Sequence, residues 1–486
     1  MSTADSPVTG THTALKKNAL GVAGIVFLVL AAVAPLTGIV VVAGLAMALG
    51  NGGGAAASFF IMALILLLFS VGYAQMSREL INAGGFYAFV VKGLGRTGGL
   101  IAGLIATIGY NFFVVGTIGT SGFFMQTVIA DLTGIDIHWY LWGLASIIAS
   151  FLMARRGIDF SSKILGVALV LEVALLVVFD IAVLIRTGVD FSAFSPEAVF
   201  AGSFPIGLLI AATGFLGFEA TALFGEEAKQ PLKTIPRATY AAIIAIGLVL
   251  GLTTWAVVSA IGVAQTQGVA LEHLAAGDLL FNLAVEYVGA PFLTIMLVLL
   301  LVSLFAAMLA FHNSATRYLF ALGRARVLPH VLARTGSTGA PVVAGLVQAG
   351  FAAFVAFLFM LSGDNPMVTL LPPMLGFGTL SIIVLQTLAA LAIFVHFRRA
   401  RSPRFWSTLI APLVSFLLLG TIVVLAIGNF EIVAGSDALA VRILPWLLVV
   451  TAIGGLGYGA YLKAKRPAVY AALADDLEQV DPTADS

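Results

Sequence analysis

The sequence predicts an all-α integral membrane protein with twelve transmembrane helices. Hydrophobic residues make up 60% of the 486 positions and charged residues only 10%, and the mean hydropathy is +1.09. A soluble domain carries about 25% charged residues, so this chain lacks the charges for an ordinary water-facing surface. The hydrophobic residues also form blocks of about 20 or more, the length of helix that crosses roughly 30 Å of hydrocarbon.

Charged and turn-forming clusters divide these blocks into twelve predicted spans. The spans cover residues 20–48, 53–76, 98–130, 136–154, 162–186, 203–225, 238–264, 280–318, 340–362, 367–397, 405–429 and 440–462.

The distribution of basic residues supports this number of spans independently. If the N-terminus is cytoplasmic, all 24 Lys and Arg residues except Arg186 and Arg442 fall on the cytoplasmic side. Cytoplasmic loops are enriched in Lys and Arg, so we expect an even number of spans, with both termini on the cytoplasmic side of the cell membrane. Because the basic residues follow membrane topology, we expect no nucleic-acid partner.

The first span is interrupted at its middle by the segment 34–38, Ala-Pro-Leu-Thr-Gly. Proline removes a backbone donor, and glycine destabilises a helix interior by about 1 kcal/mol. In hydrocarbon, the freed backbone groups must be satisfied within the protein or beside a cavity. The segment therefore predicts either a simple proline kink or an unwound stretch that lines a site.

The sixth span contains a second irregular segment, residues 213–219. Gly214 and Gly217 precede a carboxylate, Glu219, in mid-membrane. A central charge costs roughly 2.5–3.5 kcal/mol on insertion scales, so such residues usually face a cavity or a partner. A close helix–helix contact made by the glycines is the alternative, and Glu219 makes it less favourable.

The two irregular spans lie about 180 residues apart, and each opens a set of five spans. Paired interruptions at corresponding positions of two halves indicate an inverted-repeat transporter with its substrate site at the midplane. The predicted divisions are a cytoplasmic tail 1–19, a first five-helix repeat 20–190, an inverted second repeat 191–400, peripheral helices 11 and 12 at 401–463, and a cytoplasmic tail 464–486.

Four stretches of the chain, at 34–38, 81–89, 217–238 and 312–324, resemble the amino acid–polyamine–organocation (APC) superfamily of permeases. The most specific is Gly-Phe-Glu at 217–219, followed by two glutamates and by Ile-Pro-Arg-Ala at 235–238. The resemblance covers about residues 18–400. It implies a ten-helix inverted-repeat core with two peripheral helices, and a substrate held between the two breaks during alternating access.

The expected substrate-binding residues lie on the two breaks and on the third span. They are Val33, Ala34, Pro35, Leu36, Thr37, Gly38, Tyr110, Thr213, Gly214, Phe215, Leu216, Gly217 and Phe218. The resemblance implies that Glu219 couples the site to the inner gate. Arg317, Glu226 and Glu227 are the predicted gating residues, although topology alone also favours an Arg at a cytoplasmic helix end.

Two departures from the family pattern bear on the substrate. Pro-Leu-Thr at 35–37 replaces a glycine-rich loop whose N–H groups bind an amino-acid carboxylate, and this break resembles the putrescine-importer branch as much as the α-amino-acid branch. Glu172 stands where several members have a Lys. Glu172 is predicted to accept a proton, coordinate a cation or pair with a substrate ammonium; the alternative is a protonated, structural glutamate. Tyr110 also has a structural alternative, which is a hydrogen bond between helices.

Other functional classes fit the sequence less well. The chain has no Cys, and its single His well inside a span, His312, cannot assemble a zinc site or a Ser/His dyad, so we expect no enzyme, no metal and no cofactor. A channel needs rings of pore-lining residues rather than two broken helices. The sequence thus predicts a proton-coupled secondary transporter that imports an amino acid or a related organic amine. A polyamine importer or an amine/amino-acid exchanger is the alternative, and the oligomeric state stays open.

Overall fold

The computed structural model describes residues 20–80, 85–156, 161–219, 221, 228–336, 338–436 and 438–473. In these ranges helices alternate with turns and short connections, and one parallel bridge joins Leu20 to Ala228. Nine helical segments of this part are long and apolar enough to cross a membrane, and two shorter apolar helices belong to the interrupted spans. The all-α membrane class is therefore confirmed, while the count of twelve spans stays a prediction.

The helices of the N-terminal half correspond in order to the first five predicted spans. They are α1 (Val22–Val33), α2 (Pro35–Thr37, continued by the π-helical turns Gly38–Ala43 and Ala46–Asn51), α3 (Ala55–Glu79), α4 (Gly85–Thr133), α5 (Trp139–Arg156) and α6 (Ser161–Thr187). A 3₁₀ turn, Gly52–Gly54, leads into α3.

The helices of the C-terminal half include several short connecting segments. They are α7 (Pro196–Val199), α8 (Phe204–Thr213), α9 (Pro231–Ile261), α10 (Thr266–Glu272), α11 (Leu279–Tyr287), α12 (Ala290–Arg324), α13 (Val342–Met360), α14 (Pro366–Thr369), α15 (Leu371–Arg399), α16 (Ala411–Gly428), α17 (Phe430–Ala434), α18 (Leu439–Arg442), α19 (Leu444–Lys465) and α20 (Pro467–Ala472).

Both predicted interruptions are confirmed. Helix α1 ends at Ala34, whose φ of 53° lies in the left-handed region that L-residues with a Cβ rarely adopt. Pro35 then begins α2, where its missing N–H is no loss because the first N–H groups of a helix have no intrahelical partner. In the sixth span, α8 ends at Thr213 and a run of turns follows, in which Gly217 has a φ of 112°.

The long helix of the predicted eighth span begins later than expected. The span was predicted at 280–318, but α12 begins at Ala290 and the preceding residues form the separate helix α11. Gly289, with a φ of 125°, and Pro291, in the first turn of α12, separate the two helices. Gly289 and Pro291 mark this junction in the sequence, but the mostly apolar residues 279–288 resemble the beginning of the span. The helix of the third predicted span differs in the other direction. Helix α4 begins earlier than predicted, at Gly85, and has a non-helical residue at Gly95.

Packing places the long helices around the two breaks. Helix α4 packs along α15, α12 and α5, and α3 packs along α9. Helix α12 contacts both α1 and α2, and α15 contacts α8. Helices α6 and α9 also contact α1, and α3 contacts α8, so the two interrupted spans pack against α3, α6, α9, α12 and α15. The division into two inverted repeats stays a prediction.

Candidate functional site

A cavity of about 40 Å³ lies between the two breaks. Threonine and apolar side chains line it, contributed by both interrupted spans and by α4, α12 and α15. The lining residues are Val33, Thr37, Gly38, Val41, Val42, Phe113, Thr117, Thr120, Thr213, Gly214, Leu216, Leu304, Ala307, Phe311 and Leu375. A volume of this size admits only a few waters, so a larger ligand requires the surrounding helices to separate.

Six of the predicted substrate-binding residues meet at this cavity: Val33, Thr37, Gly38, Thr213, Gly214 and Leu216. The others lie behind it or beside it. Ala34, Pro35, Leu36, Phe215 and Phe218 are buried without lining the cavity, and Gly217 forms the turn before Glu219. Their role in binding stays a prediction.

The first break is held by two buried polar side chains from other helices. The backbone N–H of Leu36 donates to Oε2 of Glu172 at 3.2 Å, and the N–H of Thr37 donates to Oγ of Ser303 at 3.2 Å. The Ser303 hydroxyl in turn donates to Oε2 of Glu172 at 2.9 Å. Glu172 on α6 and Ser303 on α12 are 3% and 0% exposed. Glu172 is thus hydrogen-bonded directly to the backbone of the break.

The sixth break is organised by Glu219. Its Oε1 accepts a hydrogen bond from the Tyr110 hydroxyl, and its Oε2 accepts one from the N–H of Gly217 at 2.9 Å. The Tyr73 hydroxyl donates to the Glu219 carbonyl at 3.0 Å, and the Tyr110 ring stacks on Tyr318 with centroids 5.4 Å apart. Tyr110 therefore contacts the carboxylate rather than the cavity. Glu219 joins the break to α3 and α4, and Tyr110 in turn contacts α12.

Of the three predicted gating residues, the structure describes Arg317. Glu226 and Glu227 lie outside the described residues. Arg317 lies in the C-terminal part of α12 and does not line the cavity. Within the described ranges, no group of three or more His, Asp or Glu residues is arranged to hold a metal ion.

Several lining residues were missed from the sequence. They come from α4 (Phe113, Thr117, Thr120), α12 (Leu304, Ala307, Phe311), α15 (Leu375) and α2 (Val41, Val42). The residues of α4 and α12 carried a signal in the sequence, because they are spaced three and four positions apart. This spacing places side chains on one helix face. Without the structure, nothing distinguished that face from an ordinary packing face. Ser303 was missed because a lone serine in an apolar span resembles many others.

The comparisons with known proteins agree with this architecture. The sequence profile described as "Amino acid permease" matches residues 20–454. A protein of Mycobacterium tuberculosis (strain H37Rv), named an uncharacterized transporter, is 31% identical over 187 residues, which cover 38% of this chain and 37% of the relative. The branched-chain amino acid permease BcaP of Lactococcus lactis is 25% identical over 321 residues, which cover 60% of this chain and 66% of the relative.

Each of these pairwise matches spans less than two thirds of the relative's length. The profile, by contrast, covers nearly the whole chain and includes both breaks and every helix that lines the cavity. This protein belongs to the amino acid permease family, in keeping with the APC superfamily.

Proposed function

We propose that this protein is a secondary active transporter that imports an amino acid with an apolar side chain across the cytoplasmic membrane, by alternating access and coupled to protons. The observation that carries the proposal is the cavity enclosed by two interrupted helices. Interrupted helices offer backbone groups and helix ends to a polar ligand at membrane depth.

The lining of the cavity supports an apolar substrate side chain. Val41, Val42, Leu304 and Leu375 present aliphatic groups, and the threonines add hydroxyl groups without charge. A hydrophobic pocket favours a ligand whose apolar area it removes from water, by roughly 25 cal/mol per Å². The name of the Lactococcus relative, a branched-chain amino acid permease, agrees with this chemistry. Leucine, isoleucine and valine are therefore the first substrates to test.

The polyamine alternative receives less support. A polyamine carries at least two ammonium groups, and none of the lining residues, all of which the structure describes, is acidic. Glu172 and Glu219 accept hydrogen bonds from the protein itself.

Proton coupling is proposed for Glu219, because its hydrogen bonds connect the sixth break to two other helices, α3 and α4. An ionised Glu219 accepts from both Tyr110 and Gly217. A protonated carboxyl group has one fewer acceptor site and becomes a donor, so protonation changes this network. Such a change links proton binding to a rearrangement of the break.

Uptake into proteoliposomes tests the proposed function. The panel comprises radiolabelled leucine, isoleucine, valine, lysine and putrescine, each with and without an inward proton gradient, and protein-free liposomes are the control. We expect gradient-stimulated uptake of the three branched-chain amino acids, abolished by a protonophore. If no compound of the panel enters, the transport proposal is wrong; if uptake ignores the gradient, proton coupling is wrong.

A further inference from the structure

The N–H groups at the start of α2 are all engaged within the protein. Pro35, the first residue of α2, has no N–H. The next two N–H groups, of Leu36 and Thr37, donate to Glu172 and Ser303. The following one, of Gly38, donates to the Ala34 carbonyl at 2.9 Å. No backbone donor in this first turn is left for a ligand.

The carbonyl groups on the other side of the same break, at the end of α1, lack their helical donors. In an uninterrupted helix the carbonyls of Ala31, Ala32 and Val33 would accept from the residues four positions later. Those residues are Pro35, which has no N–H, and Leu36 and Thr37, whose N–H groups point to Glu172 and Ser303. The C-terminal end of α1, which carries the negative end of the helix dipole, therefore has three carbonyls without their helical donors. Val33 among them lines the cavity.

The N-terminal end of a helix is a ready-made site for an anion, and here a carboxylate of the protein already occupies it. A second carboxylate would find no backbone donor there, and an ionised Glu172 would repel it, because like charges interact strongly in a low-dielectric interior. An ammonium group beside the α1 carbonyls would instead be attracted to the negative end of the α1 dipole. The first break is therefore arranged to receive a cation rather than an anion.

We propose that Glu172, positioned by Ser303, determines specificity by occupying the anion-binding end of the first break, so that the substrate is recognised through its ammonium group and apolar side chain and not through its carboxylate. This inference rests on the proposed function and widens its substrate class from apolar amino acids to apolar primary amines, with or without a carboxylate. Glu172 acts through the backbone of the break: it positions that backbone and excludes a substrate carboxylate from it.

Competition with carboxylate-free and ammonium-free analogues of leucine tests this proposal on the unaltered protein. The competitors of labelled leucine uptake are leucine, 3-methylbutylamine, which lacks the carboxylate, and 4-methylpentanoate, which lacks the ammonium group. We expect 3-methylbutylamine to compete within about 3-fold of leucine and 4-methylpentanoate not to compete. If the protein formed hydrogen bonds to the substrate carboxylate, 3-methylbutylamine would compete roughly 10- to 100-fold more weakly than leucine. That result would overturn the proposal.

Variants separate this role from a merely structural one. In Glu172→Ala the Leu36 N–H is released and can bind the carboxylate of leucine. The inhibition constant of 3-methylbutylamine divided by that of leucine should therefore increase by about 10-fold. Leu171→Ala is the matched control, because Leu171 is the neighbouring residue and is 50% exposed on the surface of α6; its ratio should stay as in the unaltered protein. An equal weakening of leucine and amine in Glu172→Ala would contradict the specificity role. If that variant does not fold, the comparison on the unaltered protein decides alone. A complete absence of uptake of leucine, isoleucine and valine would instead refute the proposed function.

Discussion

Glu219 is held at the sixth break by donors from two elements. The Tyr110 hydroxyl and the Gly217 N–H each reach one of its carboxylate oxygens, and the side chain is only 8% exposed. Buried carboxylates within membrane spans are costly and usually serve a function. The sequence placed a mid-membrane carboxylate here but could not identify its partners, because Tyr110 lies more than 100 residues away along the chain.

Substitution of Glu219 by Gln tests proton coupling. The amide cannot bind or release the proton, so we expect Glu219→Gln to lose accumulation driven by a pH gradient while retaining exchange of internal for external substrate. Counterflow and gradient-driven uptake in proteoliposomes measure the two activities separately. Glu79→Gln is the control, because Glu79 pairs with His396 at 2.7 Å near the surface of the protein. Undiminished gradient-driven accumulation by Glu219→Gln would contradict the coupling role.

At the scale of elements, the turn between α2 and α3 is packed unusually closely. A Cβ atom on Gly54 would lie 2.2 Å from the Ala198 carbonyl oxygen, on α7. The neighbouring Asn51 is fully buried, donates to the Val199 carbonyl at 2.9 Å and accepts from the Ser58 hydroxyl at 3.1 Å. This turn therefore joins the first interrupted span to the segment that precedes the sixth.

Alanine at Gly54 should destabilise the folded protein. The new methyl group meets backbone rather than a flexible side chain, and overpacking of this kind costs roughly 1–3 kcal/mol. Thermal unfolding in detergent measures the effect as a lowered Tm. Gly454→Ala is the control, since Gly454 lies within α19 with nothing within 4 Å of a built Cβ, and Ala favours a helix by about 1 kcal/mol over Gly. Equal Tm values for the two variants would show that the close approach is not rigid.

Across the whole molecule, the sequence predicted the elements far better than their contacts. Proline and glycine interrupt an apolar helix for local reasons, so the breaks at 34–38 and 213–219 could be located from the chain alone. The start of α12 was predicted too early although Gly289 and Pro291 mark it, because the mostly apolar residues 279–288 resemble the beginning of the span. The threonines of α4 and the bonds from Ser303 depend on which helices face one another, and only the folded chain determines that.

The predicted topology can be tested on a chain that has no native Cys. Val189 follows α6 and Ala400 follows α15, and both residues are exposed. The distribution of Lys and Arg predicts opposite sides of the membrane for them. In intact cells, a membrane-impermeant maleimide should label Val189→Cys but label Ala400→Cys only after permeabilisation. Labelling of both variants without permeabilisation would contradict the predicted orientation.

The central claim is that substrate binds in the cavity between the two breaks, and filling that cavity tests it most directly. Thr117 on α4 lines the cavity, whereas Thr127 on the same helix is exposed, so tryptophan at each position gives a matched pair. The measurement is equilibrium binding of radiolabelled leucine to the purified variants, each first shown to be monodisperse. We predict that Thr117→Trp abolishes binding and that Thr127→Trp binds like the unaltered protein. Leucine binding by Thr117→Trp with an unchanged Kd would contradict the claim.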